Sequence, residues 1–267
     1  MVRWLVQTLG LFTPLVTIIG ILAGSWWTAS TLVLALVVYP ILDLLLGDSS
    51  KADSLEESRA FDFIVHTHGI LVPVVIATLL YQAYFDYNSF IWLAAVSVGL
   101  SSGASGIITA HELGHRRPRS RSWWLSRLDL MCVLYLHFTV EHNHTHHKHW
   151  AKPIDPTSSP WKRNVYVHFI RTIPLQLMGA YRAKPKDFRY SMLVQLTLLV
   201  TLFIISPVLL GVFLLQAIVA IFLLEFVNYL QHHGLVRGDD ERANAGHAWE
   251  SRNRWSRWTL LELPLHP

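Results

Sequence analysis

Residues 90–115 read FIWLAAVSVGLSSGASGIITAHELGH. All but the last five are apolar or small, and roughly 20 such residues suffice for a helix to cross a bilayer. The run passes straight into His111, and His115 follows four positions later. On a continuing helix these two imidazoles share one face, about one turn apart. A spanning helix that ends in paired histidines implies an all-α integral membrane protein whose helix ends carry a metal site.

The next stretch agrees. A basic loop, RRPRSR, follows His115, and the apolar run 128–140 comes after it. That run is too short to span and reads as a re-entrant or interfacial helix. It delivers Glu141 and a second cluster, in which His142 and His146 repeat the four-residue spacing beside His147. Eight of the fifteen histidines fall between 111 and 149. Neutral imidazole is the commonest side-chain metal ligand and suits iron, zinc, copper or nickel.

Working outward, six apolar runs read as spans: 4–24, 27–46, 61–84, 90–110, 191–210 and 212–230. Pro153, Pro156 and Pro160 break any long helix after the second cluster. Residues 165–177 look amphipathic, suited to the membrane surface. The sixth run ends in Gln231, His232 and His233. Six spans place both termini on one side, with the loops carrying Arg116, Arg117, Arg119, Arg121, Arg182, Lys184 and Lys186. The opposite turns, near Ser25, Asp86 and Gly211, hold no Lys or Arg. The positive-inside rule then makes that basic side cytoplasmic. The expectation is one domain, 1–267, in the inner membrane, with a histidine-rich cytoplasmic cap (111–190 and 231–267) holding a di-metal site.

Composition supports this class. Of 267 residues, 52% are hydrophobic and 15% charged, and mean hydropathy is +0.35; a soluble domain carries more charge. Cys132 is the sole cysteine, which excludes a disulfide framework and a thiolate site; it reads as a small buried filler. The net charge of +4 reports membrane orientation and an acidic protein partner, with no nucleic acid implied. No cleavable signal is evident, because the first apolar run is too long for one.

HELGH also fits H-E-x-x-H, the zinc-hydrolase helix, with Glu112 as general base. A hydrolytic zinc takes three protein ligands. This chain offers at least six well-placed histidines, too many for one zinc and enough for two metals. An all-nitrogen site with open positions suits dioxygen chemistry at iron. Imidazoles alone would leave such a centre highly charged, so Glu112, Glu141 and Glu225 are expected to help offset it. Glu225, Asn228 and His232 share a helix face, and Glu225 is expected to orient a ligand imidazole. On the second span Leu32, Ala35 and Tyr39 share a face and could line a substrate channel.

Four ordered motifs then carry a resemblance: HELGHR (111–116), EHNHTHH (141–147), NYLQHHGL (228–235) and HAWES (247–251). Together they resemble the integral-membrane alkane 1-monooxygenases, within the wider membrane fatty-acid desaturase and hydroxylase group. The flanks YPILDLLLGD (39–48) and AKPIDPTSS (151–159) agree. The resemblance implies two non-haem irons and oxygen insertion into a terminal C–H bond of an alkane-like apolar substrate. It implies electrons from a rubredoxin- or ferredoxin-type carrier with its reductase. Its ligands fall on His111, His115, His142, His146, His147, His232 and His266. Asp155, His144, His233 and His247 would support them. Departures are His144, Thr145, His233 and Glu250, where the family usually has Arg or Lys, Gly, Tyr and Asn. The family's last box is H-x-x-H-H, and here the sequence stops at His266-Pro267. The expectation is a chain truncated within that box and weak or inactive as it stands.

Other histidines have plainer readings. His66 and His68 suit polar roles facing the bundle; His137, His149 and His168 suit packing or surface positions. Three other functions compete. A fatty-acyl desaturase or hydroxylase would use the same site. A membrane zinc protease would need one zinc and no dioxygen. A metal transporter would need ionisable residues along its spans, which are almost all apolar apart from His66, His68 and Glu225.

Overall fold

The computed structural model describes residues 8–48, 59–238, 240–242, 244–249 and 253–259. Among them the regular structure is helical, with two isolated β-bridges and an irregular stretch at 150–164. Helix α1 (Thr8–Ala23) and α2 (Ser25–Leu46) are separated by Gly24 at φ +69°, a left-handed conformation that glycine adopts without strain. Then come α3 (Arg59–Phe85) and α4 (Ile91–Gly114). Ser120 caps α5 (Arg121–Cys132), its Oγ accepting from the Trp123 N–H at 3.2 Å. Helix α6 covers 138–149. Asn164 caps α7 (Val165–Ala183) in the same way. Helices α8 (Pro185–Ile205), α9 (Pro207–His232) and the short α10 (Arg254–Thr259) complete the order.

Five of these, α2, α3, α4, α8 and α9, are long and apolar enough to cross a membrane. Helix α1 is apolar but shorter, and residues 4–7 of the first expected span lie outside the described residues. Two sequence boundaries need correction. The last two spans break at Ser206, not near Gly211: Pro207 lacks an N–H and so starts α9 at no cost, while Ser206 Oγ accepts from the Val208 N–H. Gly211 instead lies inside α9 against Trp92, where a Cβ would sit 2.7 Å from the indole. Nor is 128–140 one helix. Its first five residues end α5, residues 133–137 turn, and its last three open α6.

That turn is the tip of a re-entrant hairpin. Along α5, Ser122 bonds His66 (2.9 Å) and Leu125 and Asp129 close over Gly69, so α5 descends beside α3 into the bundle. Leu134 turns the chain at φ +56°. Backbone groups freed at the tip find side chains, as they must where water is scarce. The Cys132 carbonyl accepts from Gln216 Nε2 (2.7 Å), and the Leu136 N–H donates to Gln195 Oε1 (2.8 Å). Cys132 is buried in the core that holds Leu79 and Phe213.

Helices α4 and α9 bring the histidines to one end. A Cβ on Gly99 would sit 2.5 Å from Val219 Cβ, and one on Gly103 would sit 3.0 Å from the Ala220 carbonyl oxygen. Contacts that advance together along both helices mean that they run parallel at close range. His111, near the end of α4, and His232, at the end of α9, therefore emerge on the same side. Helix α7 supports them from outside, with His168, Thr172, Gln176 and Ala180 buried and Tyr166, Ile170, Met178 and Tyr181 exposed. Its polar stripe faces the protein and its apolar side faces outward, the orientation of a helix lying against lipid.

Candidate metal centre

Four imidazoles meet where α4 ends beside α6. His111, His115, His142 and His147 each offer a ligand nitrogen, and these atoms lie within 4.8 Å of one another. His111 Nε2 and His115 Nε2 are 3.2 Å apart. Ring centroids separate His111 from His142 by 4.4 Å, His142 from His147 by 4.4 Å and His115 from His147 by 4.9 Å.

The local backbone explains which histidines pair. Residues His142–His146 form a π turn, closed by the His147 N–H on the His142 carbonyl. An i→i+5 turn brings i and i+5 onto one face, where a regular helix aligns i and i+4. So His142 joins His147 in the four-imidazole cluster, and the i, i+4 pairing of His142 with His146 does not define it. His146 turns toward α9, its ring 5.2 Å from His232 and 5.0 Å from His142.

Burial keeps these rings neutral. It is the first cause lowering His142 well below the usual range, and the neighbouring imidazoles add to it. His147 is lowered to about 4, again by burial and then by His115 and His146. His115 is lowered less, because Glu112 opposes its burial. Neutral imidazoles are the form that binds metal.

His146 has a dedicated partner. Its Nδ1 lies 3.1 Å from Asp155 Oδ2 and 2.7 Å from Thr157 Oγ1, while Thr157 and Ser158 donate to the same carboxylate oxygen at 2.8 and 2.7 Å. Burial would raise the Asp155 carboxyl; His146, Ser158 and Thr157 more than offset it and hold it at about 2. An anchored Nδ1–H leaves Nε2 as the donor atom, the arrangement that fixes ligand histidines elsewhere. The ring of His232 is held by a hydrogen bond to the backbone of His247.

The carboxylates divide. Glu225 is fully buried and accepts from Tyr135 Oη (2.8 Å) and Gln176 Nε2 (2.9 Å), with Asn228 Nδ2 at 3.5 Å. A tyrosine and two amides thus hold this carboxylate, where an imidazole was expected. Glu112 meets Arg116 at 3.0 Å, as does Asp62 at 2.9 Å, an ion cluster at the rim. A hydrolytic general base would have to face the metal, and this carboxylate is engaged elsewhere. Glu141 is fully buried with neither oxygen hydrogen-bonded; burial, then Asp155 and Glu225, raise its carboxyl well above the usual range.

The remaining candidates lie further out. His144 is exposed and its Nδ1 meets the Val140 carbonyl. His233 stacks between Trp161 and Tyr229, with Ser159 Oγ 3.4 Å away. His247 pairs with Glu241 at 3.2 Å. Leu32, Ala35 and Tyr39 are each partly buried, but a π turn at Leu34–Val38 interrupts the period through them, and Tyr39 Oη bonds Thr13 (2.6 Å). His266 lies outside the described residues. His68 is buried on Ser105 Oγ (2.6 Å), and Cys132 is buried as filler. His168 is a core residue, lowered to about 4 by burial and then by Arg163. Tyr135, Gln176, Thr157 and Ser158 were missed by sequence reasoning. The polar stripe of α7 could have exposed Gln176, but no sequence period marks Tyr135.

The donor set fits a bound cation. His142 Nε2 is buried with no hydrogen-bond partner, as is His111 Nδ1. An uncompensated carboxyl, Glu141, stands next in sequence, where a nearby cation would favour its charged form. The cluster can therefore hold a metal through neutral nitrogen donors, with anionic groups close by.

Comparison with known proteins adds an independent finding. The sequence profile of the family described as fatty acid desaturase matches residues 88–267. Alkane 1-monooxygenase 1 of Pseudomonas aeruginosa is 30% identical over 91% of this chain and 71% of its own length. Alkane 1-monooxygenase 1 of Alcanivorax borkumensis is 28% identical over 98% of this chain and 72% of its own length. The hydroxylase component of a xylene/toluene monooxygenase of Pseudomonas putida is 25% identical over 88% and 69%.

Proposed function

This chain belongs to the fatty acid desaturase family, and from that premise we propose that it is a membrane di-iron monooxygenase that hydroxylates a terminal C–H bond of an alkane or a related apolar molecule. The observation that carries the reading is the convergence of four neutral imidazoles at the ends of α4 and α6. The names of its relatives favour alkanes over acyl chains as substrates, and one named for xylene and toluene extends the class to alkylarenes.

In this reading His111, His115, His142 and His147 hold one iron, and His146, His232 and His266 belong to the other. When bound, the irons supply the activation of dioxygen, with electrons from a rubredoxin- or ferredoxin-type carrier. The protein's own side chains do the rest. Asp155 and Thr157 fix the tautomer and the angle of His146. Asp155 places negative charge beside the neutral ligands, and a bound cation would favour the charged form of Glu141 next to them. Tyr135, Gln176 and Glu225 tie the hairpin, α7 and α9 together beneath the histidines. His111, His142 and His146 are buried and keep that side of the centre from bulk water, while His115 is exposed at its rim. Leu32, Ala35 and Tyr39 would line the apolar approach from the bilayer, and the exposed Arg117, Arg119 and Arg121 would receive an acidic carrier. One domain spans 1–267, crossing the inner membrane six times with the histidines and both termini cytoplasmic.

The test is metal analysis with product identification. A chain that carries the whole H-x-x-H-H box, purified in lipid, loaded with ferrous iron and supplied with a reducing system, should bind two irons and convert an alkane to its terminal alcohol only when dioxygen is present. A single bound zinc with dioxygen-independent hydrolysis would overturn the reading. Unsaturated or hydroxylated acyl lipid as product would reassign the substrate.

A further inference from the structure

Helix α7 and the start of α8 carry charge that the chemistry above leaves unused. Residues 161–190 hold seven of the chain's 22 Lys and Arg and a single carboxylate, Asp187. Lys162, Arg171, Arg182, Lys184, Lys186 and Arg189 are all exposed. Among the described residues none of these six forms a salt bridge. Asp187 is within electrostatic reach of Arg127 on α5.

Apolar and aromatic groups share this surface. Trp161, Tyr166, Ile170, Met178, Tyr181 and Tyr190 are exposed. On its inner side α7 is fixed to the protein: Gln176 bonds Glu225 (2.9 Å), Thr172 donates to the Pro156 carbonyl (2.8 Å), and a Cβ on Gly179 would sit 3.4 Å from Thr145 Oγ1. The outer groups therefore cannot roll inward to find partners.

The opposite boundary of the bundle is a built-in control. Its turns expose Trp26, Trp27, Tyr84, Phe85 and Tyr87 but hold no Lys or Arg. Aromatic rings alone thus mark a bilayer–water boundary there, and the six cations on α7 and α8 answer a different need. Long basic side chains beside an apolar helix face lay their stems along it and lift their charges to headgroup level. Cations held there attract anionic headgroups. A soluble acidic protein would meet these charges flanked by lipid-facing side chains, whereas Arg117, Arg119 and Arg121 stand on a loop with no large apolar residue.

We propose that the outer face of α7 and the start of α8 is a binding surface for the anionic phospholipid headgroups of the surrounding bilayer. The proposal rests on the reading of this chain as a multi-pass membrane protein and is independent of the metal and the substrate.

Lipid competition on the purified 267-residue chain tests it. The protein in detergent is given equal amounts of phosphatidylglycerol and phosphatidylcholine, and the lipid that stays bound is counted by native mass spectrometry. Phosphatidylglycerol should be retained about tenfold over phosphatidylcholine, since every basic side chain near an anionic headgroup adds to the attraction. The variant Arg182→Gln/Lys184→Gln/Lys186→Gln/Arg189→Gln should lose that preference, and Arg117→Gln/Arg119→Gln/Arg121→Gln should keep it. Independently of any charge variant, brominated phosphatidylglycerol should quench Trp161, read as the difference from Trp161→Phe, more than brominated phosphatidylcholine does. Equal retention of the two lipids, equal quenching, or loss of the preference in the Arg117/Arg119/Arg121 variant would overturn the proposal. Loss of binding to an acidic carrier in the fourfold variant, with lipid preference intact, would overturn it in favour of a protein-docking surface. Release of the chain from membranes by alkaline carbonate without detergent would refute the membrane reading, and the lipid surface with it.

Discussion

Asp155 decides how His146 presents itself. The carboxylate is buried and bound by a ring nitrogen and two hydroxyls. Asp155→Asn keeps the volume but replaces one acceptor oxygen with a donor, so the tautomer is no longer imposed. Removing such a partner typically costs about 10–100-fold in metal affinity, and competition against a chelator should show a loss of that order with unchanged helix content. Asp129 presents the opposite case. It is buried against Gly69 with neither oxygen hydrogen-bonded, and burial raises its carboxyl well above the usual range. The fold therefore keeps its proton longer than the unfolded chain does. Stability from this group is present at acid pH and is lost as pH rises from about 4 toward the raised folded value. Asp129→Asn removes that loss, so thermal unfolding at pH 8 should shift upward and the pH dependence should flatten. A lower midpoint at pH 8 would mean that the carboxylate has a partner.

The π turn at His142–His146 shows how an element can be legible in type and opaque in detail. Sequence spacing identified HELGH as helical with two histidines on one face, and the cluster contains both. The same spacing paired His142 with His146, whose rings do stack 5.0 Å apart, but nothing in EHNHTHHKH announces the i→i+5 closure that adds His147 to the cluster. That geometry depends on what packs around α6. Deleting Asn143 makes His147 the fourth residue after His142, so a regular helix keeps the two on one face. Bound metal per chain should then hold with little change in helix content by circular dichroism, whereas His147→Ala should lower it; metal loss in the deletion variant would show that the π turn itself is required. Asp155 sits nine residues from His146 in sequence and was nameable from the flanking motif. Tyr135 was not, because its partner Glu225 is 90 positions away.

For the molecule as a whole, the apolar runs gave the bundle and most of its span limits, since length and hydropathy act locally. They could not reveal that α4 and α9 run parallel, which follows from Gly99 and Gly103 meeting Val219 and Ala220. The basic face has a measurable consequence. Arg117, Arg119, Arg121, Arg182, Lys184 and Lys186 are all exposed, and attraction between exposed charges is screened over about 10 Å at 0.1 M salt. Turnover driven by an acidic electron carrier should drop several-fold as salt rises, while turnover driven by a small neutral reductant should hold; equal responses would argue against charge-guided docking. The hairpin tip sets an order of events during synthesis. Its Cys132 carbonyl is satisfied by Gln216, which the ribosome adds 84 residues later. Until α9 has entered the bilayer, that carbonyl would face hydrocarbon unpaired. The turn that leads into the second histidine motif therefore gains its full support only once α9 has joined the bundle.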